Sequence, residues 1–119
     1  MGELALEKRG GGAKYPTANS QNGYALGSSY ESVAVSFNIS ASCTRFYIVA
    51  DCMAGDSTAD NYSKSVWYVD VSSGYTELFS RNNANVDKPG ITIGASQISV
   101  SCYAKPVHKL SVTLIPLDA

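Results

Sequence analysis

From Tyr24 onward, apolar and polar residues alternate with a period of two. In residues 33–40, Val33, Val35, Phe37 and Ile39 fall on one side, and Ser36, Asn38 and Ser40 on the other. That is the pattern of a half-buried strand. Residues 45–50 (RFYIVA) are apolar almost throughout, which predicts a central strand covered on both faces. Residues 65–71 and 75–80 flank Ser72-Ser73-Gly74, with Gly74 where a tight turn needs a positive φ. This is the clearest hairpin of the chain. Residues 91–93, 97–103 and 109–117 complete the set. Ile98, Val100 and Cys102 face inward in the second of these, and Pro116 argues for an edge position in the third.

Seven or eight short strands, with turn formers every 8–12 residues, predict an all-β fold: an antiparallel β-sandwich of the jelly-roll or immunoglobulin-like kind. Residues 1–23 read differently. Glu3 to Arg9 suits a turn or two of helix, Gly10-Gly11-Gly12 ends it, and residues 13–23 are polar without a sustained period. The expected organisation is an extended N-terminal arm at 1–23 and a β-sandwich domain at 24–119.

Composition supports the β reading. The 119 residues include 17 Ser and 10 Gly, and charged residues are 16% of the chain. Nine Lys and Arg against ten Asp and Glu give a net charge of −1, which excludes a polybasic nucleic-acid binder resting on many phosphate contacts. No nucleic-acid partner is expected. No apolar run approaches the roughly 20 residues of a membrane span, so no membrane partner is expected either. Glu3 and Glu7 occupy the place where a secretion signal needs an apolar core, so the expectation is a protein made in the cytoplasm without a signal peptide.

Candidate chemistry is sparse. The spacing of Cys43, Cys52 and Cys102 matches no paired zinc motif, and the first expectation is three buried thiols, with one disulfide plus a free thiol as the alternative. His108 is the chain's one histidine, placed between a proline turn and the last strand, and reads as a turn or surface residue rather than a catalytic base. Asp51, Asp56, Asp60, Asp70 and Glu77 are the carboxylates from which an acid–base pair would have to come. The loop between residues 51 and 64 holds three aspartates, but their spacing is not that of a calcium loop. No nucleotide-binding glycine motif occurs. No metal or cofactor is expected.

Eight tyrosines and one tryptophan are the most suggestive feature. Trp67 and Tyr68 are adjacent on one strand and so face opposite sides, one of them toward the core. Tyr62 and Tyr75, with Asp56 and Asp60, form a candidate surface for a ligand such as a sugar. Leu4, Leu6 and Tyr15 are the sizeable apolar groups of the arm and are the candidate partner contacts.

The expected function is therefore not enzymatic. A small, weakly charged all-β domain with a glycine-hinged arm suits a structural component of a virus particle, above all a tailed-phage capsid decoration, head-associated or tail protein attached through its arm. Its partners would be other virion proteins, such as a capsid or tail lattice, and further copies of itself in a homo-oligomer. The alternative is a carbohydrate- or receptor-binding β-sandwich module.

Overall fold

The computed structural model describes residues 18–25, 30–41, 43–54, 62–83, 86–104 and 108–117. Eight strands run in chain order: β1 (Asn19–Ala25), β2 (Glu31–Asn38), β3 (Arg45–Ala54), β4 (Tyr62–Asp70), β5 (Gly74–Arg81), β6 (Gly90–Ile93), β7 (Gln97–Ala104) and β8 (His108–Pro116). A five-stranded sheet in the order β1-β8-β3-β4-β5 packs against a three-stranded sheet in the order β2-β7-β6. Every neighbouring pair is antiparallel. The expected β-sandwich is the fold of the chain.

The period-two pattern selects the core. Val33, Val35 and Phe37 of β2 and Ile98, Val100 and Cys102 of β7 point inward from the small sheet. Phe46, Ile48, Ala50 and Cys52 of β3, Trp67 and Val69 of β4, and Leu110, Val112 and Leu114 of β8 meet them from the large one. Trp67 is the largest fully buried side chain, and Tyr68 points the other way. The β4–β5 hairpin turns as expected, with Gly74 at φ 113°.

Four expectations are corrected. β3 is central in its sheet but is not covered on both faces, since Tyr47 and Met53 stand exposed on its outer side. Its apolar run misled because the outer positions also carry apolar side chains. β8 is an interior strand between β1 and β3, not an edge. Pro116 is tolerated because β1 pairs with β8 only as far as Leu114, so beyond that point β8 has β3 alone as neighbour. Residues 19–23, assigned to the arm, belong to β1 at the sheet's edge. Gln21 and Gly23 offer no apolar period there. β1 is held instead by its ladder to β8, by a hydrogen bond from Gln21 Nε2 to the Ser36 carbonyl at 2.7 Å, and by close approach to β2. A Cβ on Gly23 would collide with Val33 Cγ1, so glycine is required for contact rather than for turning. Finally, Cys52 and Cys102 are not thiols. They form a disulfide between β3 and β7, joining the two sheets with Cα atoms 6.7 Å apart. Cys43 is free and half-buried.

Five strands cannot be covered by three. Residues 86–89 close part of the gap over β4: Val86 is fully buried, and two buried serines hold the backbone beside it. Ser63 Oγ donates to the Asp87 carbonyl at 2.7 Å and Ser65 Oγ to the Pro89 carbonyl at 2.9 Å. β5 lies beyond this cover.

Candidate functional site

The structure turns one face of the large sheet to solvent, and the strand registers fix what that face carries. One row across it reads Ile115, Tyr47, Tyr68 and Thr76, from β8 through β3 and β4 to β5. The next reads Thr113, Val49, Val66 and Phe79. A third is polar: Asn22, Ser111, Asp51, Lys64 and Arg81, crossing all five strands. The fourth holds Tyr24, Lys109, Met53 and Tyr62. Two apolar rows, a charged row and a second aromatic row therefore lie in parallel. Tyr47 and Tyr68 meet edge to face at 6.0 Å between centroids.

Where the charged row meets Tyr62, the face is concave. A shallow hollow of about 430 Å³ is lined by Asp51, Met53, Tyr62, Lys64 and Ser111. Lys64 Nζ stands 3.8 Å from Asp51 Oδ1, an ion pair longer than a hydrogen bond. The Arg81 guanidinium lies 4.0 Å above the Tyr62 ring, at cation–π distance. Such a surface can stack a planar or pyranose ring and offer both a donor and an acceptor to hydroxyls.

Tyr62 is thus part of this hollow. Tyr75 is not: it is exposed at the far end of the β4–β5 ladder, and its ring packs edge-on against the inward-facing Trp67 at 6.5 Å. The two tyrosines do not share a site. Asp56 and Asp60 lie outside the described residues, as do Leu4, Leu6 and Tyr15. Lys64, Arg81, Met53 and Ser111 carry no motif. The alternation marks their outward direction, but their meeting depends on register, which local pattern does not contain.

Among the described residues, the groups that could do acid–base or metal chemistry are dispersed or sequestered. Asp51 and Asp70 stand opposite Lys64 and Arg45, six residues apart along β4. That is roughly 20 Å at strand rise, too far for a carboxylate pair acting across one bond. Asp70 accepts from the Ser72 amide and hydroxyl at 3.1 and 2.7 Å and so shapes the hairpin turn. Glu77 receives Lys88 Nζ on both carboxylate oxygens, at 3.1 and 3.3 Å. That hydrogen bonding, with a further one from Ser80, lowers its pKa below the ordinary value.

His108 is buried rather than at the surface. Its imidazole and the sulfurs of Cys52 and Cys102 have ligand atoms all within 4.8 Å of one another. This is a set a soft metal would accept, but the two sulfurs are bonded to each other, and a disulfide offers no thiolate. The cluster is a covalent link between sheets with an imidazole packed beside it. Comparison of the chain with protein-family models, curated proteins and solved structures finds no match.

Proposed function

We propose that the protein is a non-enzymatic assembly module, a rigid β-sandwich that is built into a larger particle through its exposed surfaces. The observation that carries this reading is the outer face of the large sheet. Tyr47, Phe79 and Ile115 are all more than a third exposed there, in two adjacent rows, and Tyr24 and Met53 are as exposed in a row beyond the charged one. Exposed apolar area of that continuity marks an interaction surface. The single histidine, the residue most used for proton transfer, is buried beside a disulfide, away from any dissolved substrate. The setting proposed is a virus particle of the tailed-phage kind, with the chain as capsid decoration, head-associated or tail component. Its partners are other particle proteins, reached in part through Leu4, Leu6 and Tyr15 of the N-terminal segment. The sandwich, the low charge and the apolar face support it.

The test is to purify particles from the protein's source by density gradient and quantify the chain by mass spectrometry. A fixed copy number per particle is expected, reduced by Tyr47→Ser together with Phe79→Ser. A chain found free, with no particle fraction, overturns the reading.

A second reading, a carbohydrate-binding module, is favoured by the hollow at Tyr62 and Lys64. It requires the free chain to bind glycans and to lose that binding on Tyr62→Ala.

A further inference from the structure

Among the described residues, the buried polar side chains are Ser63, Ser65 and His108. The two serines are accounted for by the carbonyls they hold over β4. His108, the only histidine of the chain, lies instead in the core beside Cys52 and Cys102. The meeting of three strands puts it there. Leu110 stands opposite Cys52 and His108 opposite Ala54, so on the inward face His108 is the diagonal neighbour of Cys52. Cys102 comes from β7 in the other sheet. All three lie within two residues of a strand end, at the end of the sandwich where β1 stops at Ala25, β3 at Ala54 and β7 at Ala104, and where β8 begins.

We infer that the chain, once its disulfide is reduced, binds one zinc ion between the Sγ atoms of Cys52 and Cys102 and the His108 imidazole. The inference goes beyond the assembly reading and does not depend on it. The donor set is the first support: two thiolates and an imidazole suit zinc, with the fourth position left to water. The spacing is the second. The three ligand atoms already lie within 4.8 Å of one another. Tetrahedral zinc, about 2.3 Å from each sulfur, sets two sulfurs about 3.8 Å apart. The Cα atoms of Cys52 and Cys102 are 6.7 Å apart, at the wide end of the disulfide range, so rotation of the side chains opens that gap without moving a strand. Charge is the third. Two thiolates cancel a divalent ion and the imidazole is a neutral donor, so the loaded site carries no net charge into an apolar core. A monovalent ion would leave a negative charge uncompensated there. The chemistry balances with a dithiol as reductant. One of its thiolates attacks a sulfur of the pair and its second thiol closes a cyclic disulfide, delivering two electrons and leaving Cys52 and Cys102 as thiols. The position at the end of the sandwich lets a local opening admit the reductant. Zinc then displaces one proton from each thiol to solvent, and the ion takes over the tie between β3 and β7.

The test uses the full chain, reduced with excess dithiol, freed of it by anaerobic desalting, and titrated with cobalt(II) and then zinc. One cobalt per chain is expected, with the intense ultraviolet absorption of a thiolate–cobalt bond, and zinc is expected to bleach it. Zinc is also expected to raise the melting temperature of the reduced chain toward that of the oxidised one, and the oxidised chain to take up no metal. Affinity is expected to fall at least about tenfold in His108→Asn, a loss that even changes outside the ligand shell cause, and to be unchanged in Cys43→Ser. Should His108→Asn misfold, the wild type decides. Its single histidine gives unambiguous ring-nitrogen signals, and one of them is expected to shift when zinc is added to the reduced chain. A reduced chain that binds neither ion overturns the site. So does binding that survives His108→Asn unchanged in a folded chain, binding lost in Cys43→Ser, ring signals that zinc does not move, or equal uptake by the oxidised chain. The assembly reading fails separately, if the chain is missing from purified particles.

Discussion

Ser65 donates its hydroxyl to the carbonyl oxygen of Pro89 at 2.9 Å, inside the sandwich. Together with Ser63 on Asp87, it fastens residues 86–89 over β4 where the small sheet ends. Ser65→Ala leaves a buried carbonyl unmet and is expected to cost about 1–3 kcal/mol. Ser101→Ala, on an exposed position of β7, is expected to stay within about 0.5 kcal/mol of wild type. Urea unfolding followed by Trp67 fluorescence measures both.

The boundary of β1 separates two truncations. Deleting residues 1–17 leaves the strand whole and is expected to preserve the melting temperature. Deleting 1–23 removes five of the seven β1 residues, uncovers β8 and is expected to lower it by several degrees. Gly23→Val tests the same edge with one residue. The collision with Val33 Cγ1 is expected to cost about 1–3 kcal/mol and to expose β1 amides to exchange.

The inter-sheet disulfide closes a loop of 50 residues. The chain-entropy relation assigns such a loop about 4 kcal/mol. Cys52→Ala with Cys102→Ala is expected to lower stability by about 2–5 kcal/mol. Alkylation under non-reducing denaturation, followed by intact mass measurement, is expected to add one label, at Cys43, and three after reduction.

Glu77 and Lys88 give an acid-side pH dependence. The Glu77 carboxyl is held below its unfolded value, so whatever the pairing contributes is present above the ordinary carboxylate range and is lost as pH falls through the lowered pKa. Carbon-detected titration of the Glu77 carboxyl is expected to show the depressed midpoint. Exchange at the Lys88 amide is expected to quicken at acid pH in the wild type, and to be pH-flat, beyond the chemical rate, in Glu77→Gln.

Strands were legible where apolar residues recur at every second position, and most plainly where the residues between them are serine or asparagine. β2 and β7 are the clearest: Val33, Val35 and Phe37 on one, Ile98, Val100 and Cys102 on the other. β1 was not, because its inward positions are Gln21 and Gly23, chosen for fit against β2 rather than for hydrophobicity. The burial of His108 and the Cys52–Cys102 bond were hidden for a related reason. Both depend on β3, β7 and β8 converging, and sequence spacings of six to fifty residues say nothing of that. Of the candidate site, Tyr62 was visible as an aromatic, while Lys64, Arg81, Met53 and Ser111 became neighbours only through register.

The pairing of β1 with β8 has a mechanical consequence. Asn19 stands opposite Leu114, so the chain enters and leaves the sandwich at the same end of the same two-strand ladder. A pull applied between the two termini therefore opens that ladder like a zipper, one hydrogen-bond pair after another, instead of shearing all of them at once. The strand that peels buries a single apolar side chain, Ala25, while the core behind it is spanned by the sulfur bridge from Cys52 to Cys102. Under load the molecule yields first at its entrance, lengthening by one strand at low force while the sandwich beyond stays closed.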